Sequence, residues 1–214
     1  RWVDITLGSI IALAASLCIF IDAGAKQVAI AHRNMLKQVD RALNDIIQKN
    51  PPKKLIAIKQ ALAKTMENNQ ALYRSILYQP EYHLRHKLYH LELTRFEHSI
   101  TRQTSSLIYR LTTEQINTPL SHTLMPEAIN NIQVLRHIIH ETHTHKFIKQ
   151  REAHQTLSDQ IFSFRLKLQE ESNALLQQMI DNTKECETML HFIGINHIIR
   201  DMAMTVSDAA MTKS

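Results

Sequence analysis

Apolar residues recur three, four or seven positions apart along most of the chain, and this spacing predicts amphipathic helices. The first such segment covers residues 25–50, and its apolar face is expected to carry Val28, Met35, Val39, Leu43 and Ile46. The paired prolines at 51 and 52 should end this helix, because proline removes a backbone donor and clashes with the preceding turn.

Four longer helices and a short one are predicted beyond the proline pair, over 53–78, 81–117, from about 126 to a break near 143–145, over 149–192, and within 195–214. The stretch 119–126 is expected to be a polar loop, and Gly194 is expected to lie at a helix end. The residues expected to face inward are Leu55, Ile58, Leu62, Met66, Tyr73, Ile76, Leu84, Leu88, Leu91, Phe96, Ile100, Leu107, Leu111, Ile129, Ile132, Leu135, Ile139, Leu157, Ile161, Phe164, Leu168, Leu175, Met179, Cys186, Leu190 and Ile193.

The composition favours the same fold class. The 214 residues include only 3 glycines and 5 prolines, so the turn residues that a many-stranded protein needs are missing. Long helices pack side by side at small crossing angles. We therefore predict an all-α protein, an elongated antiparallel bundle of long hairpins. Its two cysteines cannot build a disulfide framework.

A membrane segment is predicted at the start of the chain. Residues 5–21 carry no charge and are bracketed by Asp4 and Asp22, with Trp2 placed like an interfacial anchor. Such a run is just long enough to cross a hydrocarbon core of about 30 Å. The predicted organisation is a transmembrane helix over 1–25 followed by a helical bundle over 26–214. A buried helix of a water-soluble protein and a signal peptide ending at residues 23–25 are the alternatives.

The charge that follows the apolar run predicts its orientation. Lys26, Arg33, Lys37 and Arg41 lie within about twenty residues of the run, the window over which positive charge sets topology. The bundle is therefore expected on the cytoplasmic side. The chain starts with Arg1 rather than Met, so further residues are expected before it.

Histidine is abundant, with 13 residues in the chain, and this suggests metal binding as a hypothesis. His83, His86 and His90 would share one helix face and could hold Zn²⁺ or Ni²⁺. The alternative, which we favour, is a chance cluster on a solvated face, because structural zinc requires four ligands. A second group at His137, His140 and His143 is open to the same two interpretations.

No other group of residues in the sequence forms a recognised catalytic or ligand-binding motif. The chain has no nucleophile arrangement, phosphate-binding loop or nucleotide motif, so we expect neither enzyme activity nor a cofactor. Carboxylates inside a membrane can relay protons, whereas carboxylates in the headgroup region only mark its edges. For Asp4 and Asp22 we expect the headgroup position. The net charge of +5 is spread along the chain without a nucleic-acid motif, which predicts no nucleic-acid partner.

The opening residues RWVDITLGSIIA resemble the start of the last membrane helix in the fusaric-acid-resistance-like permeases, a family of aromatic-acid exporters. In that family an Arg, an Asp-Thr pair and a Gly precede the span, whereas here Ile5 separates Asp4 from Thr6. The stretch YHLRHKLYH at 82–90 is similar to a helix of the family's cytoplasmic domain.

The resemblance implies a bacterial inner-membrane exporter of aromatic or amphiphilic weak acids. Its partners would be the lipid bilayer, upstream membrane helices of the same protein, and further copies or other proteins. The helical domain would then serve assembly, gating or partner docking. Two alternatives remain: a single-span scaffold subunit of an envelope or secretion complex, and a histidine-based metal-binding domain.

Overall fold

The computed structural model describes residues 26–77, 84–113, 118–144, 151–181 and 185–211. All regular secondary structure in these ranges is helical, which confirms the predicted all-α class. The helices are α1 over 26–47, α2 (Pro52–Leu77), α3 (Leu84–Thr113), α4 (Pro119–Thr144), α5 (Arg151–Asp181) and α6 (Cys186–Met211).

The first two helices meet at a turn that begins with a capped helix end. Lys49 adopts the left-handed conformation with φ of 52°. The Lys49 amide donates to the Ile46 carbonyl, and the Asn50 amide donates to the Asp45 carbonyl. These two bonds form a Schellman motif, which satisfies carbonyls that the helix end leaves without partners. The predicted stop at the proline pair is confirmed, because α1 ends at residue 47 and α2 begins at Pro52.

Helix α6 is the common packing partner of the later helices. It packs against α3, α4 and α5, while α2 packs against α3. Gln103 of α3 donates to Thr205 of α6, and Arg110 lies against Gly194, so α3 and α6 run antiparallel. Helix α1 joins the same core through side chains such as Met35, Val39 and Leu43, all of which are buried.

Most of the predicted inward faces are confirmed, with two errors among the side chains that the structure describes; the predictions for Leu84 and Leu88 lie outside these. On α1 all five predicted residues are buried, from Val28 to Ile46. Leu91 and Leu190 were predicted to face inward, but each is about half exposed. Leu93 takes the buried position near the start of α3 instead, because the stripe continues backwards from Ile100 through residue 97 to residue 93.

Helix α4 begins seven residues earlier than predicted, so the loop expected over 119–126 is wrong. Thr118 acts as its N-cap: Thr118 Oγ1 accepts a hydrogen bond from the Ser121 amide, and Ser121 Oγ accepts one from the Thr118 amide. Pro119 occupies the first helical position, where its fixed φ suits the helix and its missing amide is not needed. Pro126, predicted as the helix start, lies inside α4.

The single helix predicted over 149–192 is also wrong as one element, because α5 ends at Asp181 and α6 begins at Cys186. Gly194, predicted at a helix end, lies inside α6. A Cβ at this position would lie 2.6 Å from Arg110 Nη1, so the absent side chain makes room for the Arg110 guanidinium. Helix α6 continues into the core after Gly194, where Ile195, Ile199 and Met202 are fully buried.

Within the ranges described above, none of the helices has the combination of length and apolarity needed to traverse a bilayer. The predicted span over residues 5–21 lies outside these ranges, together with its border carboxylates Asp4 and Asp22.

Candidate functional site

A buried carboxylate joins the first three helices. Glu97 of α3 is only 1% exposed. Its Oε1 accepts a 2.7 Å hydrogen bond from the Tyr73 hydroxyl, and its Oε2 accepts a 3.0 Å bond from Asn69 Nδ2, both on α2. His32 of α1 places Nδ1 3.2 Å from the same Oε1. We call these four side chains the Glu97 cluster.

The cluster arises because each polar member lies on the inward face of its own helix. Asn69 and Tyr73 extend the buried stripe that includes Leu62 on α2, and Glu97 lies between Leu93 and Ile100 on α3. Asn69 Nδ2 also donates to the Ala31 carbonyl of α1 at 3.2 Å. The three helices are therefore joined by directional bonds as well as by apolar packing.

The geometry of the Glu97 cluster favours a structural connection over catalysis. The carboxylate is enclosed by its own partners, and Phe96 contacts the His32 ring with a centroid separation of 5.5 Å. A buried charge or polar group is tolerated only when its hydrogen bonds are made, and such networks fix one arrangement of the surrounding elements. The cluster thereby sets the position of α1 relative to α2 and α3.

A second polar connection holds α1 further along its length. Arg136 of α4 donates from Nε to Asp40 Oδ1 at 2.7 Å and from Nη1 to Asn44 Oδ1 at 2.9 Å. The hydrogen bond to Asp40 raises the pKa of Arg136, burial opposes this, and the charge of Asp40 adds to it. The guanidinium thus stays charged at any pH of interest, and it ties α4 to α1 two turns beyond the Glu97 cluster.

An open basic groove lies along α3 and reaches α2. It has a volume of about 350 Å³ and is lined by Gln70, Thr94, Arg95, His98, Ser99 and Arg102. Arg95, His98 and Arg102 are exposed. Since its described lining carries basic side chains and none that is acidic, the groove is suited to an anionic group, although its openness limits how tightly such a group would be held.

A third polar cluster connects α4, α5 and α6. Glu171 Oε2 accepts hydrogen bonds from Asn131 Nδ2 at 2.7 Å and Asn196 Nδ2 at 3.3 Å, and Lys167 Nζ lies 3.2 Å from the other oxygen. The adjacent cavity is about 160 Å³, below the size of ordinary ligand pockets. We interpret this cluster as a packing element.

The basic residues predicted to set topology all lie on α1 and are exposed. At 100° per residue, the positions of Lys26, Arg33, Lys37 and Arg41 fall within an arc of about 80° on one side of the helix. We call this set the basic stripe.

The histidine cluster proposed as a metal site falls largely outside the described residues. His83 is not described, and only the backbone of His86 and His90 is described, within α3. Across the side chains that the structure does describe, no group of three His, Cys, Asp or Glu residues is arranged to hold a metal ion. His137 pairs with Glu141 one turn later, with 3.1 Å between Nε2 and Oε1.

Comparison with known proteins gives no relative: no family model, curated protein or solved structure matches the chain.

Proposed function

We propose that this chain is the C-terminal part of a bacterial inner-membrane permease, in which the helical domain links a membrane segment to the assembly on the cytoplasmic side. The class of permease, an exporter of aromatic or amphiphilic weak acids similar to the fusaric-acid-resistance-like proteins, comes from the resemblance of residues 1–12 and 82–90. Residues 1–25 would form the last membrane helix, and the bundle would serve assembly and gating rather than catalysis.

The observation that carries this proposal is the attachment of α1. This helix is already formed at residue 26, directly after the predicted span, and it is held by the Glu97 cluster near its start and by Arg136 further along. A helix held at two levels moves as part of a rigid body. A shift or rotation of the preceding membrane segment would therefore be passed to α2, α3 and α4.

The basic stripe supports the orientation. Its four exposed cationic side chains begin at Lys26, where a cytoplasmic flank would meet anionic lipid headgroups. Each basic residue near such a surface adds about 1 kcal/mol of attraction.

The proposal can be tested by membrane insertion and topology in bacterial cells. The full chain, fused at its C-terminus to a reporter active only in the cytoplasm, should stay in the membrane fraction after alkaline extraction and give reporter signal. Replacing the four basic-stripe residues by Gln should lower the fraction with this orientation. The matched control replaces four exposed basic residues away from the start of α1, namely Lys49, Lys53, Lys64 and Arg102.

Two results would contradict the proposal. One is recovery of the full chain in the soluble fraction without detergent, which would favour a segment 5–21 buried in the protein's own core. The other is a parent gene with no further apolar segments upstream of Arg1, which would favour the single-span scaffold. A scaffold would co-purify in a stoichiometric complex and show no export activity.

A further inference from the structure

A second apolar face runs along α5, away from the core. Phe162, Leu166, Leu176 and Ile180 are between 42% and 73% exposed. Isolated exposed apolar residues are common on protein surfaces, but apolar residues that recur along one helix face, here as two pairs near the two ends of α5, are a feature of interaction sites.

These four residues belong to a heptad pattern. Together with two polar residues they step along α5 by 4, 3, 4, 3 and 4, as the a and d positions of a coiled coil do. The six residues, which we call the α5 seam, are Phe162, Leu166, Gln169, Asn173, Leu176 and Ile180. Their positions fall about 120° around the helix from the buried residues Ile161, Phe164 and Leu168, so the seam lies outside the core face. At one point it meets α6, because Arg200 Nη1 donates a hydrogen bond to Gln169 Oε1.

The polar residues in the seam also fit a coiled coil. With Leu166 and Ile180 at a positions, Asn173 is the a position between them, and Gln169 Nε2 donates to Asn173 Oδ1 at 3.1 Å. A single Asn at an a position is a recognised device for fixing register and strand number in two-stranded coiled coils.

The charged residues that flank the seam favour a second copy of this chain as its binding partner. Arg165 is at the g position on one side, and Glu170 is at the e position of the next heptad on the other side. In a parallel two-stranded coiled coil, g of one chain pairs with the following e of the partner chain. Arg165 of one copy would therefore pair with Glu170 of a second copy. The two-fold symmetry of the dimer would give a second, equivalent pair.

Arg165 and Glu170 cannot form an ion pair with each other within one chain. Five residues apart on a helix, they point to different sides. Among the described residues neither takes part in an ion pair, and Arg165 Nε is buried without a hydrogen-bond partner. An antiparallel alignment of the same apolar residues would bring the two Glu170 carboxylates together and leave Arg165 beside Met179. Charge complementarity thus favours the parallel arrangement.

We propose that the α5 seam binds a second copy of this chain as a parallel two-stranded coiled coil, with Asn173 paired across the two-fold axis. The inference depends on the α5 surface alone and stands whether or not the chain is a permease.

Cysteine crosslinking tests the proposal on the full chain in detergent or membranes, with Cys18 and Cys186 replaced by Ser. Under mild oxidation, Asn173→Cys and Ile180→Cys should each give a disulfide-linked dimer on non-reducing electrophoresis, because equivalent a positions face each other. Ala174→Cys is the matched control, since Ala174 is the exposed neighbour of Asn173 on another side of α5. Dimer yield at 173 and 180 should exceed that at 174 severalfold.

Charge exchange gives an independent measurement. In the Asn173→Cys background, Arg165→Glu should reduce the dimer yield because it places like charges opposite each other. Adding Glu170→Arg should restore the yield, and circular dichroism should show equal helix content in all variants. The proposal is overturned if positions 173 and 180 crosslink no more than 174. It is also overturned if Ile180→Cys forms a dimer only when mixed with Phe162→Cys, which is the antiparallel result.

Discussion

The Tyr73 hydroxyl donates to Glu97 Oε1 across 2.7 Å, and this bond joins α2 to α3 inside the protein. Both side chains are almost fully buried. Because His32 approaches the same oxygen from α1, the carboxylate is shared by three helices rather than two. Its removal should therefore affect the whole end of the bundle at which α1 begins.

Replacing Glu97 by Leu should lower the free energy of unfolding by about 3–5 kcal/mol, because the donors on Tyr73, Asn69 and His32 would lose their buried acceptor. Urea denaturation of the full chain, followed by circular dichroism, measures the change. Glu92→Leu on the exposed side of the same helix should change stability by less than about 0.5 kcal/mol. Equal effects of the two substitutions would mean that the Glu97 cluster contributes nothing to the free energy of unfolding.

The Arg136–Asp40 pair should contribute much less. Its side chains are 38% and 28% exposed, so solvent screens the interaction and a coupling free energy of about 0.5–1 kcal/mol is expected. A double-mutant cycle with Arg136→Gln and Asp40→Asn measures this coupling. It should decrease at high salt. A coupling free energy of zero at low salt would mean that this ion pair does not hold α4 and α1 together.

Lys49→Gly should stabilise the protein by up to about 1 kcal/mol, because glycine removes the steric cost of the left-handed conformation and keeps the Schellman bonds. Lys53→Gly is the control: Lys53 is also exposed but lies in the first turn of α2, where glycine should cost about 0.5–1 kcal/mol. Thermal melting of both variants shows whether each substitution raises or lowers the stability. The assigned turn is incorrect if Lys49→Gly is the more destabilised of the two.

Thr118→Ala should destabilise the protein by about 1 kcal/mol, since the Ser121 amide would lose its acceptor at the start of α4. Thr123→Ala, at an exposed position one turn later, should be neutral or slightly stabilising because alanine has the higher helix propensity. Comparing their denaturation midpoints tests whether α4 starts at Pro119. A start near residue 126 would make the two substitutions alike.

Amphipathic spacing was sufficient to predict the fold class and most of the core. It works on α1 because all five apolar positions follow one helical stripe. It fails at Leu91, where an apolar residue lies off the stripe, since surface positions tolerate single leucines. The division between α5 and α6 was missed because residues 182–184 contain Asn, Thr and Lys rather than glycine or proline.

The Glu97 cluster was missed for a different reason. A search for chemistry among exposed histidines and carboxylates overlooks polar residues on an apolar stripe. The signal was present, because the steps Leu93, Glu97, Ile100, Thr104 and Leu107 alternate between four and three. The sequence places Glu97 on the inward face, but only the tertiary structure reveals that Tyr73, Asn69 and His32 meet it there.

The position of α6 at the centre of the packing has a consequence for how the protein is made. Helices α3, α4 and α5 all rest on an element that the ribosome synthesises after them. Domains generally begin to fold from their N-terminal side during translation, but here the apolar faces that these three helices turn to α6 must wait for residues 186–211. Slow translation or premature termination within α6 would therefore leave these faces open to aggregation and to chaperone binding.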